Sequence, residues 1–232
     1  MEKEVFLPIT RALLIRHGET DWNRDARIQG QLDIPLNEAG RAQARRLTER
    51  LRDEGIEAAY SSDLVRVYET AEIALAGSGL PIHRTTDVRE VSFGVWEGKR
   101  WVDVEREFPQ EVLHYRQNYG HSAPPGGESL TALRRRSVAA FQRIVGDHRG
   151  QTVVLFSHGG PCRAILAEVL GLDVTMSRRF GMSNASVHVV EVDEGEARIT
   201  LLNDTGYLNG TGAPLSVFEA RRGDESDESI GS

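Results

Sequence analysis

The sequence holds one cysteine, Cys162, among 232 residues. A single thiol excludes an internal disulfide, and a cytoplasmic setting is the expected one. No stretch approaches the roughly 20 consecutive apolar residues of a membrane span. The opening "MEKEVFLPIT" is charged, with too short an apolar segment for a secretory leader. Basic residues are also in the minority: 28 Lys and Arg stand against 35 Asp and Glu, a formal net charge of -7. That balance argues against nucleic acid or an anionic membrane as partner. It leaves room for a small anionic substrate, because a few clustered arginines can dominate the field inside a cleft. Internal repeats are missing, and so is any linker-like shift in composition before residues 219–232. That segment, "EARRGDESDESIGS", is expected to be a disordered acidic tail to a single domain spanning residues 1–218.

What is present alternates strand and helix. "RALLIR" (11–16) reads as a first strand. Residues 37–55 form a helix capped by Asn37 and ended by Gly55. A second strand at 56–62 leads to a helix capped by Asp63 and running to about residue 76. A third strand is expected at 82–88. Residues 98–125 carry Trp101, Phe108, Tyr115, Tyr119 and His121 without strand alternation, and read as a small helical lid inserted between sheet elements. Residues 124–150 are a turn followed by an amphipathic helix. Residues 151–172 repeat the opening pattern of strand, His-Gly turn and helix, and 186–204 is a hairpin turning near Glu194-Gly195. The fold class is therefore α/β: three layers, α/β/α, with a mostly parallel sheet and helices on both faces.

Open α/β sheets bind ligands beyond the carboxyl ends of their strands. Two of these strands end in His-Gly, at His17 and His158, so both histidines belong to one edge. Arg16 offers a planar fork of donors suited to phosphate or carboxylate, and Gly18 lets backbone amides approach an anion. An imidazole beside such a cradle can attack phosphorus, and nearby arginines favour its neutral form. Gly159 and Gly160 open a helix whose first amides favour an anion. Arg66, at the start of the helix after strand two, can reach back to the same edge. In "REVSFGVWEGK" (89–99), Glu90 or Glu97 could donate a proton to a leaving oxygen, or pair with Arg89 or Lys99; the residues alone do not choose.

Taken together, "RHGETDWN", "RIQGQLDIPLNEAG", "SSDLVRVYETA", "REVSFGVWEGK", "GGES" and "FSHGG" resemble the histidine phosphatase superfamily, which includes phosphoglycerate mutases and related phosphatases. The motifs run in family order from residue 11 to about 160, and "LLNDTGYL" extends the match to about 208. The resemblance implies that His17 is phosphorylated during turnover and that Arg16, Arg66 and His158 bind the transferred phosphoryl group. It implies that Glu90 is the proton donor, and that Asn23, Gln29 and Gly30 line the phosphate or the substrate mouth, with Gly159 at the phosphate. Val67 and Glu69 depart from the Ala and Gln often found there, which touches packing more than chemistry. The short gap at 98–125 and "GGES" look like the phosphatase-type branch. The expected activity is transfer of a phosphoryl group from a small phosphorylated metabolite to His17 and then to water, with phosphoglycerate mutase as the alternative.

Other chemistries fit less well. A cysteine phosphatase needs an Arg six positions beyond its Cys, where this chain has Glu168. Zinc would want clustered ligands, but His83, His114, His121, His148 and His188 are scattered. No metal and no cofactor are expected. "RRR" at 134–136 reads as a solvated helix face rather than a nucleic-acid site. A catalytically dead binding module should have lost one of His17, Arg66, Glu90 or His158, and all four are present. Nothing in the sequence speaks against a homodimer.

Overall fold

Strands β1 (Thr10–Arg16) and β4 (Thr152–Ser157) each carry an unbroken buried apolar run, Ala12 to Ile15 and Val153 to Phe156. A strand of that kind needs cover on both faces, which forces it to the middle of a sheet. The computed structural model describes residues 9–209, so the leader reading of the first residues and the proposed tail at 219–232 lie outside the described residues. The remaining strands are β2 (Ala58–Ser62), β3 (Ile82–Thr85), β5 (Val187–Asp193) and β6 (Glu196–Asp204). The six form one sheet in the order β3-β2-β4-β1-β5-β6, with the first four parallel and the hairpin antiparallel.

The helices are α1 (Asp21–Arg24), α2 (Glu38–Leu51), α3 (Val65–Ala74), α4 (Trp101–Glu107), α5 (Pro109–Gln117), α6 (Leu130–Asp147) and α7 (Gly159–Val169). On one sheet face, Leu13, Ile15, Val154 and Phe156 pack with Leu47 of α2 and Val67 and Ala71 of α3. On the other, Ala12, Leu14, Val153 and Leu155 pack with Phe141 and Ile144 of α6 and Ile165 of α7. Successive residues of β1 and β4 thus feed opposite layers, as the two-residue period of a strand requires. Cys162 is buried in the second layer, where burial pushes its thiol up to about 12. No helix among the described residues is long and apolar enough to cross a membrane.

Three sequence expectations need correction at their boundaries. Helix α2 starts after Asn37, whose side chain accepts the Gly40 N–H, but ends at Leu51; Gly55 lies beyond it at φ 63°. Asp63 does not cap α3. The N-cap is Leu64, the free Val65 amide donates to Asp33 Oδ1 (2.6 Å), and Asp63 takes the Arg89 guanidinium instead. A carboxylate from another loop thus satisfies a helix end that local spacing assigns to Asp63. Strand β3 stops at Thr85, short of residue 88, because the carbonyls of Asp87, Arg89 and Glu90 turn away to the Arg136 guanidinium.

The insertion is helical as expected. Pro109 opens α5, a position where its missing N–H costs nothing. Trp96, Trp101, Tyr115 and Tyr119 pack edge to face with centroids 5.3 to 5.8 Å apart, so most of the insertion's aromatic surface holds it together. At the hairpin, Glu194 and Gly195 both have positive φ (47° and 92°), the geometry a tight two-residue turn demands.

Two glycines let the segment after β1 lie against the start of α2. A Cβ on Gly40 would sit 2.1 Å from the Glu19 carbonyl oxygen, and one on Gly18 would sit 2.6 Å from the Gly40 carbonyl oxygen. An alanine in place of a helical glycine ordinarily stabilises by about 1 kcal/mol. At this contact the sign reverses. Gly40→Ala should lose about 1–3 kcal/mol of unfolding free energy in urea titration, the usual cost of overpacking.

Candidate active site

Parallel pairing of β1 and β4 sets Arg16 opposite Ser157, so the next residues, His17 and His158, emerge side by side. The His17 N–H donates to the Ser157 carbonyl (3.0 Å), carrying the ladder one residue past the strand. The two imidazoles meet edge to face, 5.3 Å between centroids and 68° between planes. Both are buried.

Their neighbours fix their tautomers. His17 Nδ1 lies 2.7 Å from the Gly18 carbonyl oxygen, an acceptor only, so Nδ1 carries the proton and Nε2 the lone pair. His158 Nδ1 lies 3.1 Å from Arg66 Nη2, a donor only, so Nδ1 accepts and the proton sits on Nε2, 2.9 Å from Ser62 Oγ. Burial first, then the Arg66 and Arg16 charges, holds His17 well below the ordinary imidazole value. Burial and Arg66 do the same to His158. Both rings are neutral near pH 7, and His17 presents a free nitrogen.

Two arginines anchor with part of each guanidinium and leave a donor over. Arg66 is fully buried; Nη1 donates to the Leu32 carbonyl and Nη2 to the Gly30 carbonyl, both at 2.8 Å. Arg16 Nη1 donates to the Met182 carbonyl. Arg16 Nε and Arg66 Nε are buried without a hydrogen-bond partner. Burial pulls both guanidiniums down to about 10; Arg163 adds to the effect at Arg16, and Glu90 opposes it at both. Two charged donors left over beside two neutral imidazoles are the inverse of an oxyanion.

Geometry separates the two glutamates that sequence leaves open. Glu97 is spent inside its loop: its Oε1 accepts the amides of Gln31 (3.1 Å) and Phe93 (2.9 Å). Neither Arg89 nor Lys99 claims Glu90; they pair with Asp63 and Glu107. Instead Glu90 reaches the N-terminal turn of α7, where both carboxylate oxygens lie near the Gly160 N–H (3.1 and 3.2 Å). A Cβ on Gly160 would fall 2.1 Å from Glu90 Oε1, so that approach requires glycine. The backbone carrying Glu90 is clamped by Arg136, which donates to the carbonyls of Asp87, Arg89 and Glu90 and pairs with Glu128. The solvated-face reading of residues 134–136 therefore fails for Arg136, and Arg134 pairs with Glu168.

The remaining sequence candidates divide. Gln29 is buried, with Oε1 unpartnered, and Gly30 supplies a carbonyl to Arg66 from a φ of 53°. Gly159 is the first residue of α7, with Arg16 Nε beside it. Asn23 closes a capping box with Thr20, and its Oδ1 also accepts from Asn184, so it ties down the loop that follows His17. Sequence reading missed Asn184, whose amide also donates to the His17 and Gly18 carbonyls. It missed Thr70, which accepts the Gly18 N–H (3.1 Å) and donates to the Arg66 carbonyl, and it missed Arg163. Glu69, the departure from the family pattern, joins α3 to Arg41 of α2, and Val67 is core, so both act in packing. A cavity of about 770 Å³ lies elsewhere, between α6, α7 and the β5–β6 turn; its lining includes no histidine.

Protons bind the unfolded chain more readily than the buried histidines. His188, held down to about 4 by burial, joins His17 and His158 in this. Each stays neutral in the native state while its unfolded counterpart protonates below about 6.5, so stability rises with pH through that window. Denaturant unfolding at pH 7.5, 6.5 and 5.5 should show stability falling toward acid, by up to about 1.4 kcal/mol per pH unit for each such group. A flat profile would mean that these rings protonate in place.

The family model for the histidine phosphatase superfamily (branch 1) matches residues 12–205. Phosphoglycerate mutase-like protein 4 of Arabidopsis thaliana is 36% identical over 214 residues, covering 90% of this chain and 92% of that protein. Phosphoserine phosphatase 1 of Hydrogenobacter thermophilus is 32% identical over 200 residues, covering 86% and 95%. Among solved structures, a mycobacterial glucosyl-3-phosphoglycerate phosphatase in complex with VO3 is 34% identical with a TM-score of 0.76, covering 84% of this chain and 99% of that one. With its paired strand-end histidines and a match spanning nearly all the described residues, this chain belongs to the histidine phosphatase superfamily.

Proposed function

We propose that this protein is a phosphoric monoester hydrolase that carries the phosphoryl group on His17. The observation that bears the most weight is the tautomer lock. Gly18 holds the proton on Nδ1, so Nε2 is a ready nucleophile beside two spare guanidinium donors. Arg16 and Arg66 receive the phosphoryl oxygens and offset the charge that spreads over them in the transition state, while His158, held between Arg66 and Ser62, braces Arg66 beside His17. As the Nε2–P bond forms, the P–O ester bond breaks, and Glu90 gives its proton to the leaving oxygen. Water then attacks phosphorus with Glu90 as base, the N–P bond breaks, and His17 returns neutral with release of inorganic phosphate.

Several relatives' names, though not those of the α-ribazole phosphatases among the solved structures, support a substrate class. Phosphoserine and glucosyl-3-phosphoglycerate are both esters whose alcohol bears a carboxylate, and so are phosphoglycerates. Small carboxylated phosphate esters are thus the metabolites to test first. The phosphoglycerate mutase reading has several relatives' names behind it, among them probable phosphoglycerate mutases 36% identical to this chain. Against it stands the short insertion, α4 and α5, between Glu90 and the Glu128-Ser129 turn. A buried free thiol suits the cytoplasmic setting proposed from sequence.

With 3-phosphoglycerate in excess chelator, free phosphate should accumulate and 2-phosphoglycerate should not; the opposite product ratio would identify a mutase. His17→Ala should abolish turnover and the acid-labile phosphoprotein seen after rapid quench. Full activity in that variant would end the mechanism. Glu90→Gln should slow esters of poorly acidic alcohols by about 10²–10⁴-fold, and aryl esters far less, as loss of a general acid does. Equal losses on both would assign Glu90 another role.

A further inference from the structure

Arg163 lies on α7 one turn beyond Gly159, and its side chain runs back toward the start of the helix, as long helical side chains do. Nη1 comes 3.6 Å from the point where a Cβ on Gly159 would sit, and Arg16 Nε lies 3.8 Å from that same point. The Nε–H donates to the Phe180 carbonyl (3.1 Å), which fixes the plane of the guanidinium. Both Nη groups are left without a protein acceptor among the described residues. Arg41, Arg89 and Arg136 each close on a carboxylate. Arg163 closes on none within ion-pair distance among the described residues. Around it the opposing charge comes chiefly from Glu90, whose oxygens are already turned to the Gly160 amide.

Charge balance says what this third guanidinium is for. A phosphoryl dianion is matched by Arg16 and Arg66, and Glu90 is neutral when it holds the proton that it donates. One positive charge is left over at the mouth. A largely buried cation without a counter-ion is costly, and a planar fork is best matched by a carboxylate. We propose that Arg163 is the specificity residue of the leaving-group side, taking the carboxylate of the alcohol through its free Nη groups while Phe180 holds its plane. This assignment rests on the phosphomonoesterase reading above.

The test compares two esters on one enzyme: 3-phosphoglycerate, and glycerol 3-phosphate, which replaces the carboxylate by a hydroxymethyl group. Wild type should favour the carboxylated ester in kcat/KM. Arg163→Gln should raise KM for 3-phosphoglycerate by about tenfold or more, the scale of one lost charge-assisted pair, with glycerol 3-phosphate changed less than about twofold. Arg163→Lys keeps the charge and should fall between the two, and it carries the comparison should the glutamine variant unfold on heating. Equal losses on both esters would overturn the proposal and place Arg163 with the phosphoryl clamp or the scaffold. So would a wild type without preference for the carboxylate. Failure of wild type on every phosphate ester, aryl phosphates included, would instead sink the phosphomonoesterase reading.

Discussion

The parallel pairing of β1 with β4 is the constraint on which the site depends. Its register places Arg16 against Ser157, and the His17 N–H to Ser157 carbonyl bond extends it to the two histidines. A slip of one residue would turn Leu13 and Ile15 into the layer built for Ala12 and Leu14, so the packing of α2, α3, α6 and α7 defends the register. The chemistry inherits that stability. Imidazoles on a loop would need their own framework to sit 5.3 Å apart; here the sheet core supplies it.

Electrostatics at the strand ends follow from the same placement. Arg16, Arg66 and Arg163 converge where water is largely excluded, and each is lowered by burial. The fold meets that cost with backbone carbonyls, from Met182, Gly30, Leu32 and Phe180, rather than with carboxylates. Carbonyls hold a guanidinium in place without neutralising it. The field therefore stays positive, which adds to burial in keeping His17 neutral and reserves the charge for an anionic ligand.

How much of this was legible in the sequence depends on the range of the interaction. The alternation of strand and helix, the edge shared by His17 and His158, and Arg66 could be read because each is local pattern plus one rule of sheet topology. Asp63 misled because its rival, Asp33, sits on another loop and reaches Val65 only in the folded chain. Arg136 read as solvated for a similar reason: its acceptors are the carbonyls of Asp87, Arg89 and Glu90, remote in sequence. Asn184, Thr70 and Arg163 carried no motif, because their work is to hold backbone or to present charge across elements. Glu90 and Glu97 stayed open on the residues alone; the resemblance named Glu90, and the folded chain adds its contact with Gly160 and the spending of Glu97 inside its own loop.

Glu90, the proposed acid, and His17, the proposed nucleophile, are held by separate means, and that separation has a consequence. His17 rides on β1, while Glu90 lies just beyond the edge strand β3, on a segment pinned by Arg136 of α6 and by its contact with Gly160 of α7. Glu128, the partner of Arg136, also accepts the Ser92 N–H, and Gly127 tucks against the Ser92 carbonyl so closely that a Cβ there would come within 2.4 Å. The Gly126-Gly127-Glu128 turn is thus the splint that holds the segment carrying Glu90. The insertion packs on the same loop through Trp96 and Phe93. Changes in the lid can therefore reshape the leaving-group side and shift the acid slightly, while His17, Arg66 and His158 stay fixed by the core. A fold arranged this way can vary its alcohol and keep its chemistry.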